Sequence, residues 1–140
     1  MTIGTKHHGT VLSTSTSVVP VLQALLKAAP PFDQDKEHFW SIGLTSQLRI
    51  KYIDLVTLGS LTEALVRPRE VFRMAIHKAV ARIIIGHNHP GNSPYPSSHD
   101  HILTQKLAAA GDIIDIKVLD HIIITNDTDD FYSMAQNGQI

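Results

Sequence analysis

The chain is predicted to fold as a single α/β domain, with a mixed central β-sheet flanked by helices. Three observations predict it. Segments of helical and strand period alternate along the sequence. Three consecutive isoleucines, Ile83-Ile84-Ile85, mark a strand buried on both faces. The 140 residues, 43% hydrophobic and 18% charged, suffice for one core without staples.

Residues 1–17 form a polar lead-in, with Thr14 to Ser17 showing little period, and residues 18–140 form the domain. His7 and His8 lie in the lead-in and are read as solvated. From Val18, the residues Leu22, Leu25, Leu26 and Ala29 fall at helical spacing and stop before Pro30-Pro31. Glu37 to Leu44 is rich in aromatic and β-forming residues and reads as a strand with Glu37 at its first edge. Thr45-Ser46-Gln47 links it as a hairpin to a second strand, Leu48 to Leu58, which Gly59-Ser60 breaks. A second helix starts at Pro68, with Glu70 near its positive end and Val71, Phe72, Ala75, Ile76 and Ala79 along one face.

The isoleucine strand, Arg82 to Gly86, carries His87 and His89 at its carboxyl end. A third helix, Ser98 to Ala110, has Ile102, Leu103, Leu107 and Ala110 at helical spacing and Gly111 as its stop. Ile113 to Leu119 and Ile122 to Thr125 read as two further strands meeting at an Asp120-His121 corner. The tail after Asn126 carries little signal.

Composition narrows the function classes. Lys and Arg number 12 against 13 Asp and Glu, for a net charge of −1. Without a basic excess, direct nucleic-acid binding is not expected. The absence of cysteine rules out disulfides, thiolate metal sites and a Cys nucleophile, so any metal must use N and O ligands. No run of about 18 apolar residues and no secretory leader is evident, so a cytoplasmic protein with no membrane span is expected.

The stretch His87 to Asp100 concentrates the chemistry. Side chains two apart on a strand share a face, so His87 and His89 present their rings together while Asn88 faces away. Pro90 and Gly91 turn the chain, and Ser97 can cap a helix that holds Asp100 in its first turn. Two imidazoles and a carboxylate make the three-ligand set, with one open position, that catalytic zinc uses. Each part has an ordinary explanation by itself. Ser97-x-x-Asp100 approximates a capping box, and a single His-x-His is common. Their conjunction at the end of a buried strand favours the metal site.

The pattern His87-x-His89, seven residues, Ser97-x-x-Asp100 resembles the JAMM motif of the JAB/MPN metalloprotease superfamily. The flanking Arg67-Pro68-Arg69-Glu70-Val71-Phe72, His87-Asn88-His89-Pro90 and Leu119-Asp120-His121-Ile122-Ile123 look like its bacterial RadC branch, and the likeness spans about two thirds of the chain, from Glu37 to Thr125. The resemblance implies a cytidine-deaminase-like JAB/MPN arrangement. It also implies Zn2+ on His87, His89 and Asp100, with Ser97 stabilising the reacting carbonyl and Glu37 activating the water. Glu63 and Glu70 are rival carboxylates that the resemblance passes over. The chain departs from RadC-like sequences at Gly91-Asn92 and at Ser98-His99. His99 and His101 flank the Asp on other helix faces and read as solvated or packing residues, and His121 as more a structural hydrogen-bonding residue than support for the metal. No helix-hairpin-helix segment of the RadC type is seen ahead of the domain, so a DNA-repair role would rest on the family name alone.

Three classes of function compete. A zinc-dependent peptidase or isopeptidase acting on a protein or peptide, ubiquitin-like modifiers included, is the leading expectation. A non-catalytic MPN-type binding or scaffold module is the alternative. Another metal hydrolase comes last: the charge balance opposes a nuclease, and the lack of cysteine opposes a deaminase. Oligomeric state is not read from the sequence.

Overall fold

The computed structural model describes residues 1–3, 6–59 and 66–140. The chain runs α1 (Val19–Ala28), β1 (Glu37–Leu44), β2 (Ile50–Gly59), α2 (Pro68–His77), β3 (Arg82–His89), α3 (Ser98–Ile113), β4 (Lys117–Thr125) and β5 (Phe131–Ser133). The strands form one mixed sheet in the order β2-β1-β3-β4-β5. β3 sits at the centre, antiparallel to β1 and parallel to β4. This is the α/β architecture expected from the sequence. Ser60 and Glu63 lie outside the described residues.

The isoleucine triplet explains why β3 is central. Ile84 packs with Trp40, Ile42, Ile122 and Ile124 beneath Leu22 and Leu26 of α1. Ile83 and Ile85, on the opposite face, pack with Phe39, Tyr52 and Val118 beneath Phe72, Ala75 and Leu107 of α2 and α3. All three isoleucines are fully buried, and each contributes about 1.5–3 kcal/mol by leaving water. An edge position would forfeit much of that. Ahead of α1, Thr2 bridges to Asp54 on the outer edge of β2 and Val11 to Arg49 just before it, and Leu12 enters the α1-side core.

Two expectations about elements are corrected. The Asp120-His121 corner does not exist: both residues are fully buried within the single strand β4. Asp120 tolerates that position because Ser15, Ser133 and the N–H groups of His121 and Ala135 all donate to its carboxylate. The pairing of β4 with β3 also shifts register here: Val118 pairs with Ile83, but Asp120 with Ile84. This bulge at Leu119 resets the alternation of faces, turning His121 toward the α3 side and Asp120 toward the α1 side.

Gly111 is likewise no helix stop, since α3 continues to Ile113 and the left-handed residue after it is Asp115 (φ 58°). Its glycine is required by packing. A Cβ there would collide with the carbonyl oxygen of Ile116 and lie 3.2 Å from Cζ of Phe72. Gly111→Ala is therefore expected to destabilise the fold by about 1–3 kcal/mol, despite alanine's better helix propensity, as measured by urea denaturation.

Candidate metal centre

The site lies where β3 leaves the sheet and α3 begins. Pairing with β1 and β4 holds His87, and pairing with β4 holds His89, at the end of β3 with their side chains on the α3 face. Phe39, directly opposite on β1, stacks on the His87 ring at 6.0 Å. Asp100 arrives from the first turn of α3, where the capping box forms as the sequence suggested. The N–H of Asp100 donates to Ser97 Oγ at 3.1 Å, and the N–H of Ser97 donates to Asp100 Oδ2 at 2.9 Å. The cap thus orients the carboxylate toward the histidines.

The three side chains converge. His87 Nε2 and His89 Nε2 are 3.0 Å apart. Asp100 Oδ2 lies 3.2 Å from His89 Nε2, and Oδ1 lies 3.5 Å from His87 Nε2. One ligand atom from each lies within 4.8 Å of the others, so the group could hold a metal ion.

The hydrogen bonds behind the rings determine which nitrogens face this point. His89 Nδ1 lies 3.1 Å from the carbonyl oxygen of Ser93, which can only accept, so Nδ1 carries the hydrogen and Nε2 keeps its lone pair. For His87 the constraint passes through three residues. Thr104 Oγ1 donates to the carbonyl of Asp100 at 2.7 Å and must therefore accept from His121 Nδ1–H at 2.6 Å. That leaves His121 Nε2 to accept from His87 Nδ1–H at 2.7 Å. His87 Nε2 thus also presents a lone pair.

Two lone pairs and a carboxylate facing one another repel unless a positive charge lies between them. The protonation equilibria show that demand. Burial alone would raise the Asp100 pKa, but its contacts with His87 and His89 hold it far below the usual carboxylate range. The hydrogen bond to Asp100 raises the His89 pKa. Burial lowers that of His87, and burial with the neighbouring His87 lowers that of His121 much further. A donor set of two imidazoles and a carboxylate without thiolates suits a divalent cation of the zinc type.

Glu37 is near enough for its charge to favour the protonated forms of His87 and His89. It shares its strand face with Phe39, and the β1–β3 ladder that pairs Phe39 with His87 brings Glu37 level with His89 when continued two residues. Glu37 and Pro90, the residue after His89, line one cleft. Glu70 is engaged elsewhere, in surface ion pairs with Arg69 and Arg73. His99 and His101 contribute no atom to the converging group. His121 is closer to the chemistry than the sequence suggested, because the Leu119 bulge that turns it toward His87 leaves no compositional signal. Thr104, one helical turn after Asp100, carries no motif in the sequence that marks it.

A family model described as RadC-like JAB domain matches residues 12–139. Curated relatives carry the name UPF0758 protein. One from Desulforudis audaxviator is 48% identical over 90 residues, covering 64% of this chain and 39% of the relative. One from Desulforamulus reducens is 41% identical over 108 residues, covering 77% and 47%. One from Listeria monocytogenes is 45% identical over 103 residues, covering 74% and 45%. The chain thus spans less than half the length of these relatives. Among the described residues no helix is long and apolar enough to cross a membrane.

Two outcomes are expected. His121→Leu leaves the His87 ring without its acceptor and should weaken divalent-metal binding by roughly 10–100-fold in competition with a chromophoric chelator, with Thr104→Val acting in the same direction. The metal-free chain should lose stability as the pH falls below 6.5, because His87 and His121 are neutral when folded and take up protons on unfolding. His89 acts in the opposite sense: its stabilisation is complete below 6.5 and is lost as the pH rises through its elevated folded pKa. Asp100 contributes throughout the range above 3.8. The fall should be seen as an unfolding free energy that declines from pH 6.5 downward, measured by urea denaturation at a series of pH values.

Proposed function

The chain belongs to the RadC-like JAB domain family, and from that premise we propose that it is a zinc-dependent peptidase or isopeptidase acting on a protein or peptide. The observation that carries the reading is the meeting of two imidazole lone pairs and a carboxylate, with a second carboxylate, Glu37, on the neighbouring strand of the same face. His87, His89 and Asp100 would hold the ion. Zinc in such a set supplies Lewis acidity and brings the pKa of a water toward about 7.

The residues of the chain divide the remaining work. Glu37 takes a proton from the attacking water as the water oxygen bonds to the substrate carbonyl carbon. Ser97 Oγ accepts from the N–H of Asp100, which leaves its own hydrogen to donate to the carbonyl oxygen as negative charge develops there. The tetrahedral species collapses with cleavage of the C–N bond, and the Glu37 carboxyl gives its proton to the departing amine. Water has then been added across the bond and Glu37 is again a carboxylate. The open end of the site, where His89 is partly exposed and Ser97 exposed, would admit an extended chain.

Elemental analysis of protein purified without added metal should find about one zinc per chain in the parent and little in Asp100→Asn. Glu37→Gln should keep the zinc and lose at least about 100-fold in cleavage of a fluorogenic peptide library, with chelator abolishing the parent rate. A parent chain without zinc would favour the scaffold reading. Unchanged cleavage by Glu37→Gln would remove Glu37 from its role.

A further inference from the structure

Asn88 stands between the two histidine ligands, fully buried, with its side chain on the opposite face of the sheet. We infer that it is a positioning residue, whose side-chain amide holds Glu37 in register with the histidines. The inference rests on the reading of Glu37 as the base.

The backbone ladder between β1 and β3 reaches only as far as the pair Phe39 and His87. Beyond it the Asn88 amide takes the place of a peptide group. Its Oδ1 accepts from the N–H of His38 at 2.6 Å, and its Nδ2 donates to the carbonyl of Lys36 at 3.0 Å. These two groups belong to the peptide planes on either side of Glu37. Because peptide units are planar, the φ and ψ of one residue are the angles between its two flanking planes. Pinning both planes to one amide therefore fixes the direction in which the Glu37 side chain leaves the strand.

The amide is itself anchored. Its second N–H donates to Asn126 Oδ1 at 2.8 Å, and Asn126 Nδ2 donates to the carbonyl of Gln34 at 2.6 Å. Both hydrogens of Asn88 are thereby used, and rotation of the amide would set donors against donors. A buried asparagine could serve only to satisfy backbone groups that the sheet leaves open. Its place argues for more: Asn88 is covalently bonded to both histidines, so a displacement of β3 that carries the ligands carries the clamp as well. Beyond the end of the β1–β3 ladder, which sets the register, the separation between base and ligands is thus held by one residue.

The test compares the parent, Asn88→Ala, Glu37→Gln and the double variant, with Asn126→Ala as a milder change at the edge of the network. In Asn88→Ala the amide of His38 should exchange at least about tenfold faster while that of Ile85 is unchanged, since only a local opening is released. Zinc affinity should stay within about threefold, short of the loss that follows when a ligand's own partner is removed. Zinc-dependent cleavage of the fluorogenic peptide library should fall roughly 10–100-fold. The double variant should be no slower than Glu37→Gln alone, because Asn88 acts only through Glu37. Asn126→Ala should shift His38 exchange and rate in the same direction by less. Unchanged exchange at His38, an additive double variant, or a loss of zinc as large as the loss of rate would each overturn the inference. If the parent binds zinc and cleaves nothing, the peptidase reading fails, and the clamp still stands or falls on His38 exchange.

Discussion

A carbonyl oxygen cannot donate a hydrogen bond, and that restriction at Ser93 and at Asp100 determines the chemical face of the centre. From Ser93 it fixes the tautomer of His89 in one step. From Asp100 it passes through Thr104 and His121 to fix that of His87. The second path starts inside the same group: the backbone of Asp100 orients the ring of His87. Asp100 therefore acts twice, once with its carboxylate and once with its carbonyl, and α3 cannot move relative to β3 without disturbing both. Zinc-binding histidines depend on such outer hydrogen bonds for orientation and basicity. Here the bonds behind His87 are buried, where water cannot offer substitutes, whereas the one behind His89 is exposed.

Such a centre adds a cost that the rest of the sheet must offset. His87, Asn88, Asp100, Thr104, Asp120 and His121 are all buried polar residues, and each would cost on the order of 1–3 kcal/mol if left without partners. The isoleucines of β3 and β4 supply the compensation, together with two separate cores, one under α1 and the other under α2 and α3. The division of labour follows strand alternation. On β3 the α1 face carries Ile84, Gly86 and Asn88, and the other carries Ile83, Ile85, His87 and His89. Gly86 admits Leu22 of α1, whose Cδ1 would lie 2.7 Å from a Cβ. One strand thus provides core residues, a buried amide and two members of the candidate metal group in eight residues.

What was legible in the sequence follows the range of the signals. The isoleucine run, the His-x-His and the capping box are local patterns, and each maps onto the element that carries it. The convergence of His87, His89 and Asp100 could be anticipated because a short turn-rich loop and a capped helix constrain the return path. Glu37 comes only through the family resemblance, since its position relative to β3 depends on the β1–β3 register, a long-range property. The Asp120-His121 error has an instructive cause. Two adjacent polar residues in an apolar stretch look like a corner, and alternation does break at that point, but through a bulge that keeps the strand intact. The partners that make Asp120 tolerable lie 105 residues upstream at Ser15 and 13 downstream at Ser133.

Asp120 and Asp100 together show how a buried carboxylate can be sorted by its donors. Asp120 receives two hydroxyls and two backbone N–H groups, all neutral, from three separate parts of the chain. Both its oxygens are satisfied without a cation, and its effect is to bind the segment before α1 and the segment after β4 to the sheet. Asp100 receives one backbone N–H, from Ser97, and its other close neighbours are the Nε2 atoms of His87 and His89, which the tautomers leave without hydrogen. Its charge is therefore unmatched unless a proton or a metal ion enters. The two residues have the same side chain and nearly the same burial. What separates a structural carboxylate from a ligand is whether the neutral donors around it are enough, and around Asp100 they are not.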